Sequence, residues 1–177
     1  MRYVALLRGV NLARNRRLDM KALSRLLEDL GFEDSRTFLQ SGNAVLTSPR
    51  SAAQVKRKLE QGIASELGLE TEVFLRTKTQ LAKVVAANPL EQVVDNPSWY
   101  QVSFLASKLP AKAARELEAA DVAPDQVVVS GREIYAWYPS GMQRSGLTQL
   151  LTERKLGVSS TARNWNTVTR LLALAEA

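Results

Sequence analysis

Residues 37–47 read TFLQSGNAVLT, and this stretch decides the fold because it holds two short strand-like segments joined by a turn. Residues 37–40 and 43–47 each have the length and composition of a β-strand. Ser41 and Gly42 lie between them, and glycine readily adopts the positive φ angles that tight hairpin turns require. The stretch therefore predicts a β-hairpin whose turn is Ser41-Gly42.

The sequence on both sides of the hairpin completes a known supersecondary unit. Before it, residues 2–7 are mostly apolar, which is typical of an interior strand, and Asp19 can cap a helix. After it, Ser51 and Gln54 have capping-box spacing at the start of a second helix, and residues 72–76 suit another strand. The order strand, helix, strand, strand, helix, strand predicts the split unit of ferredoxin-like domains.

The rest of the chain predicts a second copy of this unit. The two hairpins correspond, because QSGNAV at 40–45 aligns with VSGREI at 129–134. The second copy is expected to end in a helix, which TARNWNTV at 161–168 begins, and to have a single helix over 145–156 before it. The predicted division of the chain is a first subdomain, a helical connection and a second subdomain, at residues 1–76, 77–98 and 99–177.

The composition narrows the possible functions. The chain contains no cysteine and no histidine, which excludes disulfides and thiolate sites and removes the commonest metal ligand and general base. We therefore expect no metal site and no cofactor. No apolar run is long enough for a membrane span and no signal peptide is recognisable, so we expect a cytoplasmic protein without a membrane partner. A net charge of +6 favours anionic partners.

The predicted topology creates one polar site at an edge of the first sheet. The first and third strands of a split unit are adjacent and antiparallel, so the end of the first lies beside the start of the third. Arg8 and Asn11 should therefore meet Ser41 and Asn43. These side chains are candidates for binding a phosphate or carboxylate, or for holding the loop and the turn together. The same loop carries a basic cluster, which indicates an anion or a solvated surface: Arg14, Arg16 and Arg17.

A second candidate site lies at the start of the predicted helix 145–156. Arg144 and Ser145 precede its first turn, and free backbone N–H groups at a helix start attract anions. Capping by Ser145 explains the same residues without any ligand.

The closing stretch supplies the last candidates. A helical wheel places Trp165 inward, Arg163 outward and Asn164 beside the apolar stripe, where its amide needs a hydrogen-bond partner. Three polar residues around one tryptophan exceed what a helix cap requires, so Arg163, Asn164 and Asn166 join the predicted ligand-binding residues.

Four motifs occur in a fixed order, with ALLRGVN at 5–11, QSGNAV at 40–45, YPxGxxRS at 138–145 and TARNWNTV at 161–168. Together they resemble the bacterial domain-of-unknown-function family 1697, and the resemblance covers nearly the whole chain. It implies an α+β fold of two intertwined ferredoxin-like subdomains of βαββαβ type, the second ending in a helix. It implies no biochemical activity. The family usually has glycines soon after the Asn11 position, where this chain has Leu12-Ala13-Arg14.

These observations lead to an expected function and two alternatives. We expect a binding protein with a polar cleft for an anionic small molecule or nucleotide. A nucleic-acid-binding or protein-interaction module would need a continuous basic face, for example from Arg14 to Arg57 and Lys58. An enzyme would have to use Ser, Lys or carboxylate chemistry, and would need a buried Lys or carboxylate within reach of Ser41 or Ser145. The sequence leaves the ligand's identity and the oligomeric state open.

Overall fold

The computed structural model describes residues 1–11, 17–143 and 145–177, which form two compact units. Unit 1 comprises residues 1–83 and 170–177, and unit 2 comprises residues 84–169. The chain therefore leaves unit 1 once and returns to it near residue 170. The sequence analysis had assigned all of residues 99–177 to the second subdomain.

Unit 1 contains a four-stranded antiparallel sheet and two helices on one of its faces. Its elements are β1 (Arg2–Leu7), α1 (Met20–Asp29), β2 (Glu33–Phe38), β3 (Asn43–Thr47), α2 (Ala52–Leu67) and β4 (Val73–Thr77). The strand order is β2-β3-β1-β4. Alternate residues of β1, including Tyr3 and Leu7, are buried in one core with Leu23 of α1 and Ile63 of α2. This alternation is the period-two pattern that a strand under a helical layer requires.

Local signals in the sequence set the helix boundaries of unit 1. The side chain of Asp19 accepts a hydrogen bond from the Lys21 amide at 2.9 Å at the start of α1. Ser51 and Gln54 form the predicted capping box at the start of α2. Gly68 ends α2 with a φ angle of 61°, a left-handed conformation that favours glycine.

Unit 2 repeats the arrangement of unit 1. After α3 (Lys78–Ala87) come β5 (Tyr100–Leu105), α4 (Ala111–Glu118), β6 (Gln126–Ser130), β7 (Glu133–Trp137), α5 (Gly146–Leu150), α6 (Glu153–Leu156), β8 (Ser160–Asn164) and α7 (Trp165–Glu176). The strand order is β6-β7-β5-β8, which is the order of unit 1 with each strand replaced by its counterpart. The predicted fold class, two ferredoxin-like subdomains in a chain that ends in a helix, is confirmed.

Two predictions of secondary structure in unit 2 were wrong. The predicted helix 145–156 is two short helices, because Thr152 has the extended backbone of a new N-cap, with ψ at 150°. Residues 161–164 were read as the start of the last helix, but they belong to β8, which pairs with β5 and places Ala162 opposite Ser103. The second copy therefore does contain its fourth strand, and α7 follows that strand directly.

The two unit boundaries fall inside helices. The chain enters unit 2 within α3 and returns to unit 1 within α7. In unit 1, the Arg2 guanidinium donates a hydrogen bond to the carbonyl oxygen of Leu174 at 3.3 Å, which ties the first strand to the last helical turns. Among the described residues, no helix is both long and apolar enough to cross a membrane.

Candidate functional site

The loop after β1 meets the β2–β3 turn, as the topology predicts. The amide of Leu7 donates to the carbonyl oxygen of Gly42 at 2.8 Å, and the side-chain amide of Asn11 donates to the carbonyl oxygen of Gln40. The Asn11 side chain also accepts from the Leu18 amide at 2.7 Å. Asn11 thus joins the two ends of its own loop to the turn, and its side chain is used within the fold.

The side chains of the predicted turn residues also form hydrogen bonds within the protein. Asn43 is fully buried, and its side-chain amide donates to the Phe38 carbonyl oxygen at 2.8 Å and to Ser41 Oγ at 2.9 Å. These bonds close the hairpin in the way expected of a buried amide that must be satisfied. The geometry therefore supports a structural role for Asn43 and Ser41.

Gly42 is required where the loop and the turn touch. Its φ angle is 78°, and a Cβ atom at this position would overlap Val10 Cγ2 and lie 3.0 Å from Leu7 Cβ. Val10 and Leu7 are both almost completely buried. The absence of a side chain therefore allows the backbones of the turn and the loop to come close together.

Arg8 lies in a different environment, at a cleft between the β1 loop, α2 and the start of β4. The cleft has a volume of about 770 Å³ and is lined by Arg8, Gly9, Glu60, Ala64, Glu70, Thr71 and Glu72. Arg8 Nη1 lies 3.6 Å from Glu72 Oε2, and the two side chains are 37% and 28% exposed. Of the site residues predicted from sequence that the structure describes, Arg8 is the one that lines this cleft.

Hydrogen bonds of the backbone and of two side chains join the walls of the cleft. The Arg8 amide donates to the Glu72 carbonyl oxygen at 3.0 Å, and Thr71 Oγ1 donates to the Arg8 carbonyl oxygen at 2.8 Å. The Val73 amide donates to Glu60 Oε1 at 2.9 Å, so a carboxylate of α2 is held against the start of β4. These bonds hold the loop after β1, the helix α2 and the loop before β4 together around the cleft.

The electrostatics of the cleft are mixed. Lys56 Nζ lies 3.2 Å from Glu72 Oε1 and 3.5 Å from Glu60 Oε1, and it also stands 5.6 Å from the centre of the Phe74 ring. Glu70 adds a third carboxylate to the lining. An anion that enters the cleft must therefore displace the carboxylates that neighbour Arg8 and Lys56, or must offset their repulsion. Among the described residues, no group of carboxylates is arranged to hold a metal ion.

Sequence reasoning did not identify Glu60, Glu70, Thr71 and Glu72 as site residues. A signal for two of them was present, because antiparallel pairing of β1 with β4 places Leu7 opposite Val73 and so brings residues 71 and 72 to the end of β1. Glu60 gave no such signal, since it reaches the cleft only through the packing of α2.

The Ser145 hydroxyl makes two hydrogen bonds at the start of α5. Its Oγ accepts from the Thr148 amide at 3.2 Å and donates to Asp125 Oδ2 at 2.5 Å. Asp125 is 9% exposed, so this is a buried carboxylate within reach of Ser145, the feature required of the enzymatic alternative. The same serine is the N-cap of α5, a helix of five residues, so the contact also has a structural explanation. Arg144 lies outside the described residues, as do Arg14 and Arg16.

The three candidate residues of the closing stretch lie in two elements. Arg163 and Asn164 belong to β8, and Asn166 belongs to α7. Arg163 was predicted to point outward, but it is buried, because in a strand it alternates with the exposed Ala162 rather than following a helical wheel. Its Nη1 donates to Thr161 Oγ1 and to the Ala162 carbonyl oxygen, both at 2.8 Å, and desolvation lowers the pKa of Arg163 to about 10. Asn164 Oδ1 accepts from the Thr167 amide at 2.9 Å and so caps α7.

Asn166 is exposed as predicted, and its side-chain amide donates to Ser98 Oγ at 3.1 Å. Trp165 is half-buried rather than inward, and its ring stacks on Tyr100 with 4.9 Å between centroids. The Tyr100 hydroxyl is buried and makes no hydrogen bond of normal geometry among the described residues. Desolvation raises the pKa of Tyr100 to about 12, against a smaller lowering by the nearby Leu90 backbone.

Comparison with known proteins gives a family and a fold. The family model described as "Protein of unknown function (DUF1697)" matches residues 1–135. No curated protein matches the chain. The solved structure of the conserved bacterial protein SP0830 from Streptococcus pneumoniae is similar, with 20% sequence identity, a TM-score of 0.75 and coverage of 98% of both chains. At this identity the likeness shows the fold alone.

Proposed function

The chain belongs to the DUF1697 family, and we propose that this member is a cytoplasmic binding protein that holds an anionic small molecule or nucleotide in the Arg8 cleft of unit 1. The observation that carries the proposal is that Arg8 lines a cleft of about 770 Å³. Small-molecule sites in proteins have volumes of roughly 300–1,000 Å³. The cleft is therefore large enough for a ligand of nucleotide size.

The length of the contact between Arg8 and Glu72 supports an exchange of Glu72 for a ligand group on binding. Its closest guanidinium nitrogen is 3.6 Å from the Glu72 carboxylate, beyond ordinary hydrogen-bond distance, and both side chains are partly exposed. Ion pairs of this kind contribute about 0.2–1 kcal/mol. A phosphate or carboxylate of a ligand accepts two parallel hydrogen bonds from a guanidinium, which is a stronger arrangement. A ligand oxyanion therefore replaces Glu72 as a partner of Arg8.

The charge around the loop supports an anion despite the carboxylates of the cleft. The sequence between Asn11 and Leu18 adds three arginines, of which Arg17 is described and exposed. Their combined field attracts anions at low ionic strength and weakens as salt screens it.

The test measures binding of phosphate, nucleoside mono-, di- and triphosphates, and short oligonucleotides by titration calorimetry at low salt. Arg8→Ala should abolish binding. Arg115→Ala removes the same charge from an exposed position of α4 in unit 2 and is the matched control, which should bind as the wild type does. Glu72→Gln removes the internal competitor and should tighten binding by about 1.4- to 5-fold, the ratio that 0.2–1 kcal/mol corresponds to.

Three results would contradict the proposal. They are an absence of binding by all the anions tested, equal binding by Arg8→Ala and the wild type, and weaker binding by Glu72→Gln. Tight binding of oligonucleotides with none of mononucleotides would instead favour the nucleic-acid alternative.

A further inference from the structure

We propose that the outer edge of β6 is a docking edge for β6 of a second copy of this chain, and that Glu118 holds this edge closed. β6 reads QVVVS over Gln126–Ser130, and its three valines are half-buried. β6 is the first strand in the order β6-β7-β5-β8, so no strand of the described part of the chain pairs with its outer side. An uncharged β-branched edge strand is a ready template for pairing with another strand.

The hydrogen-bonding groups on the outer edge follow from the hairpin. Ser130 lies opposite Glu133 across a two-residue turn, and Val128 lies opposite Tyr135. Backbone groups alternate in direction along an antiparallel strand, so those of Val127 and Val129 point away from β7. Two amides and two carbonyl oxygens are therefore presented by the outer edge.

Glu118 occupies one of these four groups. Its Oε1 accepts a hydrogen bond from the Val129 amide at 2.8 Å, which also confirms that this amide points outward. Glu118 is the exposed last residue of α4, so its side chain can leave without disturbing the core. The carboxylate thus acts as a removable cap on the strand edge.

The other edge strands carry features that discourage pairing. Each contains a charged residue, which is Arg36 in β2, Arg76 in β4 and Arg163 in β8. β2 also has an irregular register between Glu33 and Arg36. Charges and bulges are the usual protection of sheet edges, and β6 has neither. In the part of the chain that the structure describes, its protection rests on the hydrogen bond that the Val129 amide donates to Glu118.

The β6 strand of a second copy fits this edge because the sequence QVVVS is nearly the same when it is read in either direction. Antiparallel pairing about a two-fold axis at Val128 places Val127 of each copy opposite Val129 of the other. The outward groups of these residues then form four backbone hydrogen bonds, and the two Val128 side chains become cross-strand neighbours. The two four-stranded sheets would become one continuous sheet.

The experiment compares dimer dissociation constants by analytical ultracentrifugation for the wild type, Glu118→Ala and Glu116→Ala. Glu116 is an exposed carboxylate on the same helix, paired with Lys112 at 3.8 Å, and it matches the charge change without touching β6. Glu118→Ala frees one amide in each copy and should lower the dissociation constant about tenfold or more. Glu116→Ala should leave it unchanged. In Glu118→Ala, amide exchange of Val127 and Val129 should slow as protein concentration rises.

Blocking variants show whether the dimer uses β6. In the Glu118→Ala background, Val128→Lys places two ammonium groups face to face and should abolish the dimer. Val127→Pro gives a second check, because it removes an outward amide while keeping the bonds to β7. Circular dichroism establishes that each variant is folded. The proposal is overturned if Glu118→Ala is no more dimeric than Glu116→Ala, or if the Glu118→Ala dimer survives both blocking changes. It is also overturned if amide exchange at Val127 in Glu118→Ala does not slow as the dimer forms.

Discussion

Replacement of Gly42 by alanine should destabilise unit 1 far more than the same change at Gly131 in unit 2. Both glycines follow a serine in corresponding hairpins, and both have positive φ angles, 78° and 61°. Placing a residue with a side chain in this region costs about 1–2 kcal/mol at either position. That shared cost makes Gly131→Ala a matched control.

The difference between the two positions is steric. At Gly42 the new methyl group overlaps Val10 Cγ2 and lies 3.0 Å from Leu7 Cβ, and both neighbours are buried. At Gly131 the nearest atom is Glu133 Oε2 at 3.7 Å, an ordinary contact. Overpacking of a well-packed core costs about 1–3 kcal/mol. We therefore expect a loss of about 2–5 kcal/mol for Gly42→Ala and about 1–2 kcal/mol for Gly131→Ala.

Urea unfolding followed by far-ultraviolet circular dichroism measures both losses. Tryptophan fluorescence separates the units, because all three tryptophans, at 99, 137 and 165, lie in unit 2. Gly131→Ala should lower the urea midpoint of the unfolding transition that fluorescence reports. Gly42→Ala should lower the urea midpoint of the transition that circular dichroism reports, and by a larger amount than Gly131→Ala does. If Gly42→Ala costs no more than Gly131→Ala, the contact between the turn and the β1 loop is not as close as described.

The buried tyrosines of unit 2 give two more predictions. Tyr100→Phe should change the free energy of unfolding by less than about 0.5 kcal/mol, because its hydroxyl makes no hydrogen bond of normal geometry, whereas Tyr135→Phe should cost about 0.5–1.5 kcal/mol through loss of the 3.0 Å bond to the Val84 carbonyl oxygen. Urea unfolding measures both, and a larger loss for Tyr100→Phe would contradict the reasoning. Burial raises the pKa of Tyr100 to about 12 and also raises the pKa of Tyr135 and Tyr138, so these tyrosines ionise first in the unfolded state. Their stabilisation is complete below pH 10 and should be lost between pH 10 and 12; the lowered pKa of Arg163 acts in the opposite direction but involves one group against three. Stability that stays constant or rises over this range would contradict the prediction, and Tyr100→Phe should make the loss smaller.

The sequence predicted the elements whose signals are local. The hairpin at Ser41-Gly42 and the Ser51 cap each depend on residues a few positions apart, and both are present. The turn, however, spans residues 39–42, because β2 ends at Phe38 rather than at Gln40. The order of elements then predicted the topology of the first sheet, because few arrangements of this order are compatible with short, right-handed connections. In the second sheet it predicted the repeat of the hairpin but missed the fourth strand, β8.

The closing stretch was misread because its signal is brief. β8 has only three alternating residues, Thr161, Ala162 and Arg163, before the helix begins at Trp165. Extending the 3.6-residue period of α7 backward into the strand placed Arg163 on the wrong side. A strand of this length next to a strong helix cannot be separated from it by periodicity alone.

The composition of the cleft depended on packing that no short motif encodes. Arg8 was identified because it follows β1 directly. Glu60 comes from the middle of α2, and its position is fixed by the hydrogen bond to the Val73 amide, a pairing of residues in different elements. Side chains brought together in this way become visible only when the register of the strands and the rotation of the helix are both known.

The return of residues 170–177 to unit 1 has a consequence for the order in which the chain acquires its structure. During synthesis on the ribosome, β1 to β4 emerge first, but the segment whose Leu174 carbonyl oxygen accepts a hydrogen bond from Arg2 emerges after the whole of unit 2 has been made. The unit that begins first is therefore the unit completed last. Until residues 170–177 emerge, the sheet of unit 1 lacks the last segment of its unit. Unit 2 is a continuous segment, so it can fold before unit 1 is complete.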